Sequence, residues 1–224
     1  MLSDLRLTRN SVRLVSSSSK PPVRVHIGCG IYRLPGYINC DFHESAPGAE
    51  VRFDCQEKWP FEENSVDEVM SSHVLEHLPN PFGFFEHSWR AMRDGGKMII
   101  SLPYGGHVSA WSDITHVRAW WPETFTCFQA NSHLETRNPQ HIWHYPFGID
   151  VIELRVEPTL LKFWKRWYLR RVVENMIPYI LNGIAEQRVF MTAVKTSLTQ
   201  DFYAKRQKAN WCYIRFVDRF TGND

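Results

Sequence analysis

The sequence predicts an α/β fold built on a doubly wound, mostly parallel sheet, and three observations support this. Five short apolar runs in the first half of the chain have the length and composition of buried strands. A segment with helix start and stop signals separates the last two runs. A pair of glycines, Gly28 and Gly30, follows the first run, where sheets of this class bind ligands.

The five runs are each expected to form one strand. They are VRVHI (23–27), YINCD (37–41), AEVRFD (49–54), VDEVMSS (66–72) and KMIISLP (97–103). Strands covered on both faces of a parallel sheet are short and apolar, as these are. The first half of the chain therefore predicts a parallel sheet.

A helix is predicted between the last two strands, over residues 80–96. Asn80 can cap it, Pro81 occupies its first position, and the Gly95-Gly96 pair ends it. Its large apolar side chains share one face: Phe82, Phe85, Trp89 and Met92. A strand, helix and strand in this order are typical of a doubly wound sheet.

The connection from the first strand to the second is unusually short. Only ten residues separate Gly30 from Asp41, too few for a helix followed by a strand. We therefore expect residues 31–36 to form a compact turn, so that backbone amides rather than a long helix meet a ligand.

Composition sets broad limits on the class of protein. The 224 residues, 43% of them hydrophobic, suffice for one core, which favours one domain with additions. The net charge of +2 does not indicate a nucleic-acid-binding protein. Five cysteines without a C-x-x-C pair favour a reduced, cytoplasmic setting. No apolar run approaches the length of about 18 residues that a membrane span needs.

Three segments follow from this organisation. Residues 1–22 are expected to be an N-terminal arm and linker, because they end in a serine run and two prolines. Residues 23–198 form the predicted domain, and residues 199–224 a C-terminal extension.

Several motifs occur in an unbroken order over about a third of the chain. The second strand lies in Gly36-Tyr37-Ile38-Asn39-Cys40-Asp41, which matches the pattern G-[WY]-I-N-x-D. The motifs that follow are VRFDC (51–55), WPFEENSVDEV (59–69), HVLEHL (73–78) and RAMRDGGKMIISLP (90–103). In these motifs the chain resembles small class I S-adenosylmethionine-dependent methyltransferases.

The resemblance implies a Rossmann-like methyltransferase fold and an enzyme that methylates an oxygen or nitrogen acceptor. The expected sheet has seven strands, the last two of which form an antiparallel hairpin. For these strands we nominate either TRNPQHIWHYPF (136–147) or DVIELRVE (150–157), followed by QRVFMTAVKT (187–196). The acceptor class stays open between a small molecule, a glycan and a nucleic acid.

The resemblance also implies where S-adenosylmethionine binds. Asp41 would accept from the ribose hydroxyls, and Asp54 from the adenine amino group. The alternatives are an exposed carboxylate in an ordinary turn for Asp41 and a turn cap for Asp54. Eight residues form the expected cofactor site: Gly28, Cys29, Gly30, Asp41, Asp54, Cys55, Ser72 and His73.

The substrate rim is expected in residues 104–148, after the fifth strand. Within it, the D-x-x-H-x-R pattern predicts that His116, oriented by Asp113, acts as general base. The alternative is that this pair only ties down its loop. Glu76 and His77 either move a proton or shape the turn after the fourth strand. The other nominated rim residues are His77, Tyr104, His107 and Arg118.

A metal ion is not expected from the sequence. His141 and His144 have helical ligand spacing, but Pro139 and Pro146 argue against a helix there. No carboxylate or cysteine completes a compact ligand set in that segment.

A basic and aromatic helix is predicted over residues 160–177. The simplest interpretation is a helix packed on the sheet with a solvated basic face. The alternatives are an interfacial membrane helix or a platform for an anionic substrate or nucleic acid at 160–171, extended by the similar stretch 202–216.

Two other functions compete with methyl transfer. An NAD-dependent oxidoreductase is disfavoured because Arg33 replaces the third glycine of G-x-G-x-x-G and Asp41 comes too soon. A catalytically inactive protein that binds S-adenosylmethionine or nucleic acid is the second alternative.

Overall fold

The computed structural model describes residues 20–129, 143–158, 160, 176, 182–208, 214–217 and 219–220. Eight strands occur in these ranges: β1 Arg24–Ile27, β2 Ile38–Asp41, β3 Val51–Arg52, β4 Val66–Ser72, β5 Met92–Pro103, β6 Phe147–Val156, β7 Ile184–Ala193 and β8 Ile214–Val217. Three helices accompany them: α1 Pro81–Ala91, α2 Ser109–Ser112 and α3 Ser197–Lys208. Two 3-10 segments cover Leu75–His77 and Pro122–Phe128.

All eight strands belong to one sheet, in the order β3-β2-β1-β4-β5-β7-β6-β8. Neighbouring strands are parallel except where β7 lies antiparallel between β5 and β6. The order reverses at β1, so the carboxyl ends of β1 and β4 open a crevice. The predicted fold class is confirmed, and of the two nominated segments, DVIELRVE lies in β6.

The sheet has one strand more than the seven expected. Strand β8 comes from the C-terminal extension and pairs parallel with β6, in register from Ile152 with Ile214 to Arg155 with Val217. Helix α3 begins at Ser197, before the expected start of the extension. The extension therefore continues the sheet rather than standing apart from it.

Helix α1 starts as predicted and ends earlier. The Asn80 side chain accepts from the Gly83 amide at 3.3 Å, with Pro81 at the first position. The helix ends at Ala91 because Met92 already pairs with Val66 as the first residue of β5.

The buried face of α1 also differs from the predicted one. Phe84 and Phe85 are fully buried, whereas Phe82 is 53% exposed. The Phe85 ring stacks on Phe128, with ring centroids 3.7 Å apart, and meets Phe147 of β6 edge-on. The core thus lies between α1, the second 3-10 segment and the middle of the sheet.

The compact connection between β1 and β2 contains no helix, as predicted. The buried Asn39 side chain holds it in place. Its Oδ1 accepts from the Leu34 amide at 2.9 Å, and its Nδ2 donates to the carbonyls of Leu34 at 3.3 Å and Tyr37 at 3.0 Å. The hydrogen bonds of one buried side-chain amide therefore hold a connection that contains no crossover helix.

Most of the predicted basic helix, residues 160–177, lies outside the described residues. Among the residues that are described, no helix is long and apolar enough to span a membrane.

Candidate active site

Two adjoining cavities open at the carboxyl ends of the first strands, with volumes of ≈ 450 Å³ and ≈ 730 Å³. Every one of the eight nominated cofactor residues lines at least one of them. The smaller cavity is lined by Gly28, Asp41, Asp54, Cys55 and His73, and the larger one by Gly28, Cys29, Gly30, Ser72 and His73. Gly28 and His73 therefore form the wall that the two cavities share.

The glycine loop turns sharply at the end of β1. Gly28 and Gly30 have φ angles of 72° and 53°, a region that side chains disfavour. The amides of Gly28 and Cys29 both donate to the Cys40 carbonyl, at 2.9 and 3.0 Å. A Cβ on Gly28 would lie 2.1 Å from a methyl carbon of Val74, so this position has no room for a side chain.

Asp41 is fixed by the same loop. Its Oδ2 accepts from the Gly30 amide at 2.8 Å and its Oδ1 from the His43 amide at 2.8 Å. Each carboxylate oxygen can accept more than one hydrogen bond, so both retain capacity towards the cavity. Asp41 is thus both a loop anchor and a fixed acceptor at the cavity wall.

Asp54 makes the turn contact that the sequence analysis gave as its alternative. Its Oδ1 accepts from the Gln56 amide at 2.9 Å, while Oδ2 meets only the Gln56 side chain, at 3.4 Å. Because Asp54 also lines the smaller cavity, capping the turn leaves Oδ2 available to a ligand.

The cysteines near the cavities are free and buried. Burial raises the pKa of Cys55 and of Cys40 to about 12 and raises the pKa of Cys29. Their thiols stay protonated near neutral pH, which argues against a cysteine nucleophile at this site.

His73 lies between two carboxylates at the shared wall. Its Nε2 is 3.4 Å from Glu186 and its Nδ1 is 3.1 Å from Glu76. Hydrogen bonds to Glu186 and then to Glu76 raise the pKa of His73 to about 9, and the bond from His73 lowers the pKa of Glu186. A positive charge is therefore favoured at His73.

Sequence reasoning missed Glu186 and the arginines beside it. Glu186 of β7 pairs with Arg155 of β6 at 2.8 Å, and Arg188 donates to Ser101 at 2.9 Å. Both arginines and Glu186 line the larger cavity. They reach it because β7 inserts between β5 and β6, a pairing that no local motif indicates.

The expected catalytic pair is not arranged as predicted. The shortest approach of His116 to Asp113 is 3.9 Å, too long for a hydrogen bond. Asp113 instead accepts from the amide and hydroxyl of Thr115, at 2.8 and 2.7 Å, and the His116 Nδ1 lies 3.2 Å from the Ala110 carbonyl. Asp113 therefore shapes the loop, and Ala110 orients His116.

The rim residues separate into two groups. His77 lines the smaller cavity. Tyr104 follows β5, is only 2% exposed, forms an isolated bridge with Trp120 and packs edge-on against Trp121. His107 contacts Ser109 and Glu157, and Arg118 donates to the Pro79 carbonyl. Within the described part of the rim, only His77 of the four lines either cavity.

One group of metal-ligating side chains is present among the described residues. One ligand atom each from Glu76, His77 and His116 lies within 4.8 Å of the other two. The sequence analysis missed this group because His116 is about forty residues from the other two in sequence. Of the two histidines considered in the sequence analysis, His141 lies outside the described residues and His144 is exposed and not part of this group.

The described part of the basic stretch 202–216 has structural contacts. Tyr203 is buried and donates to Asp150 at 2.5 Å, and Arg215 pairs with the buried Glu153. Phe202 is 57% exposed. An anionic partner at this stretch stays a prediction.

Comparisons with known proteins, like the sequence motifs, indicate a methyltransferase domain. Residues 37–100 match the family model described as a methyltransferase domain. An uncharacterized methyltransferase of Mycobacterium marinum is 37% identical over 70 residues, covering 29% of this chain and 27% of that protein. An uncharacterized methyltransferase of Mycobacteroides abscessus is 43% identical over 53 residues, covering 21% of this chain and 20% of that protein. The matched segment thus spans about a quarter of these curated relatives.

Among solved structures, the chain is similar to a SAM-dependent methyltransferase from Archaeoglobus fulgidus. The TM-score is 0.52 at 20% identity, covering 76% of this chain and 86% of that one. The two chains share a fold. This confirms the predicted fold, and the family match over residues 37–100 agrees with the resemblance to methyltransferases.

Proposed function

We propose that this chain is an S-adenosylmethionine-dependent methyltransferase acting on an oxygen or nitrogen acceptor. One observation carries the proposal: Gly28, Asp41 and Asp54, at the ends of three adjacent strands, line one cavity of ≈ 450 Å³. The methyltransferase-domain match over residues 37–100 supports it.

The donor set of this cavity fits a nucleoside. Asp41, held by two backbone amides, offers oxygen acceptors to ribose hydroxyls without needing to reorganise. Asp54 offers Oδ2 to an amino group, and Phe53 and Leu78 supply apolar surface for a base. The cavity therefore combines acceptors for hydroxyl and amino groups with a nonpolar wall.

The methionine portion would extend past the wall formed by Gly28 and His73. Gly30, where a Cβ would meet no atom within 4 Å, leaves space beside the backbone, and Ser72 adds a hydroxyl on the side of the larger cavity. The larger cavity would then receive part of the cofactor or of the acceptor.

Methyl transfer needs no covalent intermediate with the protein. When bound, S-adenosylmethionine supplies an electrophilic methyl group on its sulfonium. The residues of this chain would align the acceptor with that methyl and exclude water. The protonated cysteines agree with direct transfer.

The test is calorimetric titration with S-adenosylhomocysteine, with NAD as the comparison ligand. Asp41→Ala should weaken S-adenosylhomocysteine binding by about 10- to 100-fold, the equivalent of about 1.5–3 kcal/mol for hydrogen bonds to a charged group. Glu44→Ala is the matched control, since Glu44 is exposed nearby and lines neither cavity.

Because Asp41 also anchors the loop, thermal unfolding of each variant accompanies the titration. Asp41→Asn, which keeps one oxygen acceptor, provides a second variant if Asp41→Ala unfolds. Absence of binding to the wild-type protein, or a preference for NAD, would refute the proposal.

A further inference from the structure

We propose that Glu76, His77 and His116 bind a divalent first-row transition metal such as Zn²⁺, Mn²⁺ or Co²⁺. Their ligand atoms lie within 4.8 Å of one another. The centroids of the two imidazole rings are 4.7 Å apart, and the ring planes meet at 74°. A shared ion at about 2.0–2.2 Å from each ligand would require these atoms to move inward by about 1 Å. Side-chain rotation provides a movement of that size.

Hydrogen bonding leaves the same nitrogen free on both histidines. The His116 Nδ1 faces the Ala110 carbonyl at 3.2 Å, and the His77 Nδ1 faces the Thr115 carbonyl at 3.3 Å. Carbonyl oxygens only accept, and the Thr115 hydroxyl, 3.0 Å from the His77 Nδ1, gives its one proton to Asp113. Each Nδ1 therefore carries the proton and donates it. Each Nε2 then presents its lone pair, which is the arrangement that metal-ligating histidines adopt.

Glu76 supplies the second, independent observation. Its carboxylate is 2% exposed, and Oε1 is held by His73 at 3.1 Å. Its Oε2 is buried and has no hydrogen-bond partner among the residues that the structure describes. A buried carboxylate oxygen without a partner is costly, and coordination of a cation beside two imidazoles would satisfy it.

The two backbone segments that carry the cluster are tied to each other. The Val117 amide donates to the Glu76 carbonyl at 2.9 Å, which ties the loop carrying His116 to the turn carrying Glu76 and His77. The Thr115 hydroxyl lies 3.0 Å from the His77 Nδ1 and 2.7 Å from Asp113. Thr115 and Asp113 are therefore positioning residues for His77.

The ligand chemistry selects the kind of metal. Two imidazoles and one carboxylate suit zinc, manganese, iron or cobalt, whereas Mg²⁺ and Ca²⁺ prefer sites made entirely of oxygen atoms. Three protein ligands leave at least one coordination position open.

The cluster adjoins the cavity that we propose for the nucleoside. His77 lines this ≈ 450 Å³ cavity, so an ion held by His77 would lie at the cavity wall. That relation to the cofactor rests on the proposed methyl transfer, whereas the metal site itself does not.

The experiment titrates Co²⁺ into metal-stripped, reduced protein and follows the visible d–d absorption, with Zn²⁺ as competitor. We expect one ion per chain. His77→Ala and His116→Ala should each weaken binding by more than about 100-fold, since even outer-sphere partners contribute about 10- to 100-fold. Thr115→Val should weaken it by about 10-fold.

His144→Ala is the matched control, because His144 is exposed and lies outside the cluster. Thermal unfolding checks that each variant folds, and Thr115→Val changes only an exposed side chain. Absence of cobalt binding, unchanged binding in both His77→Ala and His116→Ala, or a thiolate-to-cobalt charge-transfer band would overturn the proposal. The readout needs no S-adenosylhomocysteine, so its failure is distinguishable from failure of the proposed function.

Discussion

The two halves of the sheet share one apolar core but differ in strand length and in the polar contacts around their strands. Strands β1, β2 and β3 contain four, four and two residues, whereas β5, β6 and β7 contain twelve, ten and ten. The short strands make few ladder hydrogen bonds, and buried or loop-facing polar side chains, Asn39 and Asp41 among them, complete the structure. The long strands rely on their ladders and on the aromatic core beneath them.

Polar side-chain contacts and apolar packing have different roles in the two halves of the sheet. Polar side-chain contacts fix the loops of the first half with precision while leaving backbone amides and carboxylates at the cavity wall. Apolar packing in the second half provides the stable platform against which those loops are placed. We therefore expect the largest losses of stability from substitutions in the aromatic core of the second half, and smaller losses from substitutions in the first half.

The largest effect is expected from Phe85→Ala, in the aromatic core of the second half. Phe85 is fully buried between Phe84, Phe128 and Phe147, so its removal should cost about 3–5 kcal/mol of unfolding free energy. Urea unfolding measures this loss. Phe82→Ala, on the same helix but 53% exposed, should cost about 1 kcal/mol. Equal losses in the two variants would contradict the assignment of Phe85 to the core.

An intermediate effect is expected from Gly28→Ala, in the loop of the first half. The left-handed backbone alone costs a side chain about 1–2 kcal/mol, and displacement of Val74 adds to it. Gly30→Ala is the matched control, because it shares the positive φ but its Cβ meets no atom within 4 Å. Urea unfolding should therefore rank Gly28→Ala as the more destabilised variant. The reverse order would show that the contact with Val74 is unimportant.

The smallest effect is a pH dependence that comes from His26 of β1. Burial lowers the pKa of His26 below its usual value, while its Nδ1 lies 3.1 Å from the Asn39 side chain. As the pH falls below about 6.5, the unfolded chain binds a proton that the folded chain resists, so stability decreases. For one proton, the free energy of unfolding cannot change by more than about 1.4 kcal/mol per pH unit.

Urea unfolding at pH 7.5 and 5.5, values chosen to bracket about 6.5, checks this for the wild type and for His26→Gln. The variant should lose less stability on acidification than the wild type does. His43→Gln, at an exposed histidine, serves as the control and should behave as the wild type. An identical pH dependence in all three proteins would exclude His26 as the source.

The sequence predicted the first half better than the second. The positive-φ glycines, the compact turn and the eight nominated cofactor residues follow from local motifs, and all eight lie at the two cavities. Asp113 and His116 have the spacing of a contacting pair, yet the Asp113 carboxylate accepts its hydrogen bond from the Thr115 hydroxyl. The end of α1 also escaped prediction, because pairing of Met92 with Val66 prevails over the glycine stop signal.

The sequence by itself determined the fold class, the positions of the first five strands along the chain and the turn at the cavity-lining glycine loop, because glycine conformations, caps and apolar runs act over a few residues. Only the tertiary structure decided that β8 joins the sheet, that Glu186 reaches His73, and that His116 meets Glu76 and His77. Contacts of this kind depend on which distant segments become neighbours. That choice is made by the packing of the whole sheet.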